Sequence, residues 1–96
     1  MIVYIAGRIS GDKNYKRKFE KIKAIYNRCG FTVLNPAELP YGMNNADYMR
    51  ICMSMIDTAD VISFLPDYKN SKGAIIERLY AEYIGKEIVD LELQGL

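Results

Sequence analysis

Residues 60–77 of the chain, DVISFLPDYKNSKGAIIE, hold a strand, a polar loop and the start of a helix. The strand-length run that begins at Asp60 is rich in β-branched and aromatic residues, and Pro66 ends it. The polar segment after it leads to Ser71, a preferred residue at a helix start, and the helical pattern continues through Glu77. Loops of such units lie at the carboxyl edge of a parallel sheet, where ligands commonly bind. We therefore predict that this unit forms one half of a small-molecule site.

Residues 1–11 are expected to supply the other half. The short apolar run Ile2–Ile5 is typical of a strand that is buried on both faces. The segment Gly7–Gly11 follows, and its two glycines would let the backbone approach a ligand closely. A turn without a ligand is the alternative, because the glycine spacing matches neither the dinucleotide-binding fingerprint nor the phosphate-binding P-loop.

Strand and helix patterns alternate along the rest of the chain. This alternation predicts a single α/β domain, a three-layer α/β/α sandwich of Rossmann-like or flavodoxin-like type, with a short parallel sheet in the order 2-1-3-4. In that order the switch point lies between the first and third strands, so the Gly7–Gly11 and Ser71–Gly73 loops are expected to meet there. The remaining predicted elements are helices over about residues 14–28, 47–58 and 72–84, strands at Phe31–Leu34 and Glu87–Leu91, and a long irregular loop over residues 35–45 that could form a lid or pocket wall.

Composition limits the classes of protein to which the chain can belong. Thirteen Lys and Arg residues against twelve Asp and Glu residues give a net charge of +1, which argues against a protein that works mainly by binding nucleic-acid backbone. Because the chain has no histidine, acid–base chemistry near neutral pH falls to carboxylates, Tyr, Lys or Cys. We expect a small-molecule partner, no nucleic-acid polymer, no membrane, and no cofactor or metal.

The two cysteines and the apolar runs bear on localisation. Cys29 and Cys52 lack the spacing of metal ligands, and we predict that both are reduced, largely buried thiols. The first residues do not form a signal-peptide pattern, and no apolar run approaches the length of a membrane span. The expected localisation is therefore cytoplasmic.

Helical periodicity predicts which helix faces are buried. On the first helix, Phe19 and Ile22 belong to the buried stripe, whereas the basic residues, including Lys18, are predicted to form a solvated face. On the third helix, Arg78 and Glu82 are predicted to lie on the open face. The residues predicted to be buried on that helix are Ile75, Ile76, Leu79, Tyr80, Tyr83 and Ile84.

Glu77 is the candidate catalytic residue of the third helix. It borders the predicted core beside Gly73 and Ala81, two small residues that leave room for a ligand. A position near the helix N-terminus favours the ionised carboxylate, which a nucleophile needs. The alternative is an ordinary surface carboxylate.

Ser71 has two interpretations. It is a good N-cap for the third helix and could serve that purpose without a ligand. Alternatively, the N–H groups of Lys72, Gly73 and Ala74, together with Arg8 in the facing loop, describe an anion site that would suit a 5'-phosphate.

Several short segments resemble the nucleoside 2-deoxyribosyltransferase superfamily, nearest its 2'-deoxynucleoside 5'-monophosphate N-hydrolase branch and small phage and bacterial relatives of unassigned role. The resemblance covers nearly the whole chain and implies one domain of this type over residues 1–96. The matching segments are Tyr4–Gly7, Gly7–Gly11, Ala59–Asp60 and, most specifically, Ser71–Glu77, followed by Ala81 and Gly85–Lys86.

This resemblance implies an N-glycosidase that cleaves a (deoxy)nucleoside 5'-monophosphate or transfers its base. Glu77 would be the nucleophile that attacks the anomeric carbon, Tyr4 would help to hold it, and Ser71, implied to bind the phosphate, favours hydrolysis over transfer. The residues implied in substrate binding are Gly7, Arg8, Ile9, Ser10, Gly11, Asp60, Ser71, Lys72 and Gly73.

One position departs from the superfamily's pattern. Family members usually have an Asp eight residues before the position of Asp60, where this chain has Cys52. A thiol does not protonate a leaving base as a carboxylic acid does. A nucleotide-binding module without catalysis is therefore the alternative function.

The chain is also expected to form a homo-oligomer, most simply a two-fold dimer. Half of its residues are of apolar type, including eight Tyr and five Met, and a domain of 96 residues leaves much of its surface exposed. The superfamily resemblance implies the same.

Overall fold

The computed structural model describes residues 1–92 as a four-stranded sheet with helices on both faces. Each predicted element is present, and the element ends lie within a residue or two of the prediction. In chain order the elements are β1 (Ile2–Ala6), α1 (Tyr15–Arg28), β2 (Thr32–Leu34), α2 (Asn45–Thr58), β3 (Val61–Phe64), α3 (Lys72–Tyr83) and β4 (Glu87–Asp90), with short 3-10 turns at Pro36–Glu38 and Pro66–Asn70.

The sheet is parallel throughout and has the strand order β2-β1-β3-β4, which confirms the predicted topology. In its register, Tyr4 on β1 lies between Leu34 on β2 and Ile62 on β3. The switch point therefore falls between β1 and β3, and the loops that follow these two strands leave the sheet at the same edge.

The two faces of the sheet carry separate hydrophobic cores. On one face, α1 packs against Ile5 of β1 and against Leu65. On the other face, α2 and α3 cover Tyr4 and the rest of the larger cluster. The buried members are Ile5, Phe19, Ile22, Ala37 and Leu65 in the first core, and Tyr4, Ala6, Cys52, Ile56, Ala59, Ile62, Phe64 and Ala81 in the second.

The orientation of α3 differs from the prediction. Its buried residues are Ala74, Glu77 and Ala81, so the helix turns a face of small residues toward the sheet. Alanine side chains let the helix approach closely, and the large rings of Tyr4 and Phe64 fill the space beneath it. Most of the predicted buried stripe is therefore exposed instead, namely Ile75, Ile76, Leu79, Tyr83 and Ile84.

Arg78 lies in a network rather than on the open face where periodicity placed it. Its guanidinium stacks on the rings of Phe64 and Tyr68, with the Cζ atom 5.0 and 4.9 Å from the two ring centroids. The same group forms a two-pronged ion pair with Asp90 at the end of β4. Arg78 thus joins α3 to the carboxyl ends of β3 and β4.

Two further expectations are changed by the structure. Cys52 is buried as predicted, but Cys29 is exposed because it lies at the C-terminal end of α1, outside the core stripe. The segment 35–45 is not wholly irregular, because Pro36–Glu38 forms a 3-10 turn. The hydroxyl of Tyr48 also holds this segment, since it donates to the Pro40 carbonyl at 2.6 Å and accepts from the Met43 N–H at 3.3 Å. Within residues 1–92, no helix combines the length and apolar character that crossing a membrane requires.

Candidate functional site

A buried hydrogen bond joins the two residues expected to carry the chemistry. The hydroxyl of Tyr4, in the middle of β1, donates to Oε1 of Glu77 at 2.8 Å. Tyr4 is completely buried, and Glu77 is only 8% exposed. This contact forms because α3 turns its small-residue face to the sheet, which points the carboxylate inward toward the β1 side chain. The structure therefore brings together residues that are 73 positions apart in the sequence.

Burial gives this carboxylate an unusual proton affinity. Desolvation raises the pKa of Glu77 to about 7, and the neighbouring Tyr4 hydroxyl and Cys52 thiol oppose that shift by favouring the charged form. Burial also raises the pKa of Tyr4 well above its ordinary value and that of Cys52 to about 11. Desolvation is the largest influence on this carboxylate, so the pKa of Glu77 lies above its ordinary value, opposite to the direction expected from the helix N-terminus alone.

The raised pKa of Glu77 predicts a pH-dependent stability. The folded chain keeps this proton up to about pH 7, whereas the unfolded chain releases it near its ordinary value of 4.5. Unfolding therefore releases a proton between these pH values, and Glu77 lowers the free energy of unfolding as the pH rises through this window. The loss is on the order of 3 kcal/mol by pH 8.

The measurement is urea denaturation of the wild type and Glu77→Gln at pH 5 and pH 8. Gln mimics the protonated side chain, so we expect it to be the more stable form at pH 8 and to differ little at pH 5. Because the chain has no histidine, few other side chains titrate in this range. Equal stability of the two proteins at both pH values would contradict the prediction.

The start of α3 has the predicted cap. The hydroxyl of Ser71 accepts from the N–H of Ala74 at 3.1 Å, so that N–H, which was expected to be free for an anion, is occupied. The N–H groups of Lys72 and Gly73 lie in the first turn, where a helix offers no acceptor of its own. A Cβ at Gly73 would meet only ordinary contacts, the nearest being the Met49 Cε at 3.8 Å. Packing alone therefore does not require a glycine at this position.

Gly73 lies between the Ser71 cap and the Glu77 carboxylate along α3. It lies one turn before Glu77, on the same face of α3, and Ser71 lies about 9 Å from Glu77 along the helix axis. Gly73, in the first turn of α3, and the buried carboxylate thus lie on the same side of the helix.

The Gly7–Gly11 loop meets the loop after β3, but the contact is at Asp67 and not at Ser71. The Arg8 N–H donates to Oδ1 of Asp67 at 3.1 Å. A Cβ at Gly7 would approach Leu65 side-chain atoms to 2.6 and 2.9 Å, so this position has no space for a side chain. The loops after β1 and β3 therefore converge at the switch point through Asp67, and the hydrogen bonds described for residues 1–92 do not join Gly7–Gly11 to Ser71–Gly73 as the topology predicted.

The side chain of Arg8 folds back on its own loop. Its Nε donates to the Ser10 carbonyl at 3.2 Å, and its guanidinium lies over Gly11, which has a φ of +81°. Ile9 is partly buried against the α1-side core, and Ser10 is exposed. The backbone of this loop is therefore held in shape by contacts within the chain.

Lys18 is the residue that sequence analysis missed. Its side chain is 7% exposed, although it was predicted to lie on a solvated face. The ammonium donates to Oδ2 of Asp12 at 2.5 Å, to Oδ2 of Asp67, and to the Arg8 carbonyl at 3.0 Å. The hydrogen bond from Lys18 also holds the pKa of Asp12 below its usual value. One buried cation thus fastens the loop after β1 to the loop after β3.

The position of Lys18 on α1 permits this burial but does not require it. Lys18 lies three residues after Tyr15 and four before Ile22, within the span of the buried stripe. A lysine there can be buried only if carboxylates meet it, and Asp12 and Asp67 do so.

Asp60 is not brought to this site. It lies before the first residue of β3, at the amino edge of the sheet, where its Oδ2 accepts from the Ile2 N–H at 2.8 Å. The opposite edge of the sheet carries the loops described above. We therefore leave Asp60 out of the candidate site.

Residues 1–92 also contain a cavity away from the Tyr4–Glu77 pair. No group of three or more His, Cys, Asp or Glu side chains in this part of the chain is placed to hold a metal ion. A cavity of about 260 Å³ lies at the carboxyl ends of β3 and β4, and none of the predicted site residues lines it. Its lining residues are Phe64, Leu65, Pro66, Tyr68, Lys69, Asp90 and Leu91.

The solved structures that share this fold include two 2-deoxyribosyltransferases. The 2-deoxyribosyltransferase of the psychrotolerant bacterium Bacillus psychrosaccharolyticus, described as a biocatalyst for nucleoside synthesis, superposes with a TM-score of 0.76 at 18% identity, over 100% of this chain and 75% of that one. The 2-deoxyribosyltransferase of Leishmania mexicana gives a TM-score of 0.75 at 19% identity, over 94% of this chain and 63% of that one. The chain therefore has the α/β fold of 2-deoxyribosyltransferases, and it spans less than two thirds of the Leishmania protein.

The sequence itself assigns the chain to a family. Residues 1–90 match the family described as a domain of unknown function, DUF4406, and the chain belongs to that family. No functionally curated protein matches the sequence. At identities of 18% and 19%, the structural likeness shows the fold alone.

Proposed function

We propose that the chain is an N-glycosidase that uses Glu77 to cleave a (deoxy)nucleoside 5'-monophosphate or to transfer its base. The observation that carries this proposal is the buried hydrogen bond from Tyr4 on β1 to Glu77 in the middle of α3. Perturbed pKa values cluster at functional sites, so a buried carboxylate that is held by a tyrosine and has a raised pKa supports a reacting role for Glu77. The shared fold with 2-deoxyribosyltransferases supports the same class of reaction.

The reaction proceeds in two steps. An oxygen of ionised Glu77 forms a bond to the anomeric carbon while the bond from that carbon to the base nitrogen breaks, and the electron pair leaves with the base, which takes its proton from water. Water then attacks the anomeric carbon of the resulting ester, releasing the sugar phosphate and regenerating the carboxylate. In base transfer, a second base takes the place of that water. Tyr4 orients Glu77 throughout, because its hydroxyl donates to Oε1.

A nucleotide-binding module without catalysis is the second candidate. Cys52 favours it, since a buried thiol whose pKa is raised to about 11 is a poor acid for a leaving base. The two functions are separated by incubating the protein with a panel of nucleoside and deoxynucleoside monophosphates and analysing the products by chromatography. Release of a free base supports the glycosidase, whereas calorimetric binding without base release supports the module.

The Ser71 end of α3 is proposed to receive the 5'-phosphate. The first-turn N–H groups of Lys72 and Gly73, the helix dipole and the Lys72 charge all favour an anion there. We expect a monophosphate to bind about ten- to a hundredfold more tightly than its nucleoside. This difference corresponds to the free energy that one hydrogen bond to a charged group contributes.

Two substitutions at Ser71 test this assignment by calorimetry at one ionic strength. Ser71→Asp keeps a good N-cap but adds a negative charge, so it should reverse the preference for the monophosphate. Ser71→Asn is the matched control, because it caps equally well and is neutral. If the wild type binds nucleoside and monophosphate equally, Ser71 is only a cap.

A further inference from the structure

Two consecutive residues of α3, Glu77 and Arg78, reach to opposite sides of the central strand β3. Glu77 accepts a hydrogen bond from Tyr4 on β1, whereas Arg78 forms its ion pair with Asp90 on β4. The strands β1 and β4 are the two neighbours of β3 in the sheet, and the small-residue face of α3 lies between the two side chains. Rotation of α3 about its axis would move both side chains together, because successive helical positions keep an angle of about 100°.

Arg78 is the more firmly held of the two residues. Its guanidinium lies over the rings of Phe64 on β3 and Tyr68 in the turn that follows, and its Nη2 donates to Oδ2 of Asp90 at 3.1 Å. Only 19% of the Arg78 side chain is exposed. A planar guanidinium can stack on a ring and donate two parallel hydrogen bonds at once, so it resists rotation of the helix more than a flexible cation would.

The buried position of Glu77 becomes unfavourable when its carboxylate ionises. The titratable side chains that face it are Tyr4 on β1 and Cys52 on α2, and burial raises the pKa of both, so they are neutral at pH 7. An ionised carboxylate in these surroundings would gain hydration if α3 rotated outward. The Tyr4 hydrogen bond opposes that rotation from one side of β3, and the contacts of Arg78 oppose it from the other.

We propose that Arg78 is a positioning residue, which fixes the rotation of α3 and so keeps the Glu77 carboxylate turned inward toward Tyr4. Its importance for the reaction rests on the proposed function, in which Glu77 is the nucleophile. A nucleophile must be held at the correct distance and angle to the carbon that it attacks, and a small displacement lowers the rate strongly. Arg78 acts through the helix and does not itself contact the reacting atoms.

A titration of the Glu77 carboxyl carbon, followed by NMR and assigned with Glu77→Gln, tests this role. Arg78→Met keeps an apolar chain over the rings but removes the planar cation. We expect its midpoint to lie about one pH unit below that of the wild type, because a carboxylate that can turn outward is better hydrated. The loss of a positive charge would by itself raise the midpoint, so the direction of the change distinguishes positioning from a direct charge effect.

Arg78→Lys is a second variant that keeps the positive charge without the planar group, so its midpoint should lie between those of the wild type and Arg78→Met. Arg50→Met is the matched control, because Arg50 is 74% exposed and pairs with Asp47 on its own helix. A midpoint at or above the wild-type value in Arg78→Met, or in Arg78→Lys if the first variant does not fold, would overturn the proposal. The titration uses no nucleotide, so its result is independent of the base-release assay that tests the glycosidase.

Discussion

Glu77→Gln is expected to lower the rate of base release by about 10⁴-fold or more, because it removes the only group proposed to form a bond to the sugar. Gln keeps the size of the side chain, and its carbonyl oxygen can accept the hydrogen bond that Tyr4 donates to Oε1. The fold and nucleotide binding should therefore remain. Rates are measured by chromatography of the free base, and binding of the same nucleotide is measured by calorimetry.

The matched control is Glu20→Gln, which changes an exposed carboxylate on α1 and should leave the rate unchanged. A substrate with a 2-fluoro sugar should leave a sugar adduct on Glu77 that mass spectrometry can locate, since slow breakdown of the ester allows it to accumulate. Full turnover by Glu77→Gln would show that this carboxylate is not the nucleophile. If the wild type itself binds nucleotides but releases no base, the binding module is the correct function.

The pH dependence of the rate gives an independent readout of the same group. The nucleophile must be ionised, so the rate of the wild type should rise with pH, reach half of its maximum near pH 7 and level off at higher pH. Tyr4→Phe removes a hydrogen bond that favours the carboxylate and should therefore move the midpoint of this rise to higher pH. An unshifted midpoint in Tyr4→Phe would contradict the role of Tyr4 in holding Glu77.

Lys18→Met is expected to lower the free energy of unfolding by about 2–3 kcal/mol, because it leaves two carboxylates without their shared cation. The value lies below the usual cost of breaking a fully buried pair, since the side chains of Asp12 and Asp67 remain 23% and 28% exposed and water screens them. Urea denaturation at neutral pH measures the change. Hydrogen exchange at the Arg8 amide should also become faster, because its acceptor Asp67 is no longer held by Lys18.

Lys21→Met is the control for the loss of a positive charge from the same helix, and it should change stability little because Lys21 is exposed. Adding Asp67→Asn to Lys18→Met should restore part of the lost stability, since the second change removes an unpaired carboxylate while keeping an acceptor for the Arg8 N–H. The role of Lys18 would be refuted if Lys18→Met were as stable as Lys21→Met.

Much of the fold and part of the candidate site could be predicted from local sequence. Each strand is a short apolar run, and Pro66 and Gly85 mark the points where neighbouring elements end. The alternation of these elements determines a parallel sheet and its switch point, and the order β2-β1-β3-β4 follows from short right-handed connections. The Ser71 cap is equally local, because its hydroxyl binds an N–H only three residues away.

Residues that are distant in sequence required the tertiary structure. Periodicity distinguishes an apolar face from a polar face of α3, but it does not say whether the apolar face meets the sheet or another surface. The small residues Ala74 and Ala81 decided that choice, because they fit against the rings of Tyr4 and Phe64. That packing turned Glu77 inward and left Leu79 exposed.

The sequence by itself determined the elements, their order in the sheet and the edge at which a site could form, because these depend on contrasts between neighbouring residues. Only the tertiary structure decided that Lys18 is buried and that desolvation raises the pKa of Glu77 to about 7. The physical reason is common to both. Burial and charge pairing depend on which side chains meet across the fold, and chain-local patterns do not contain that information.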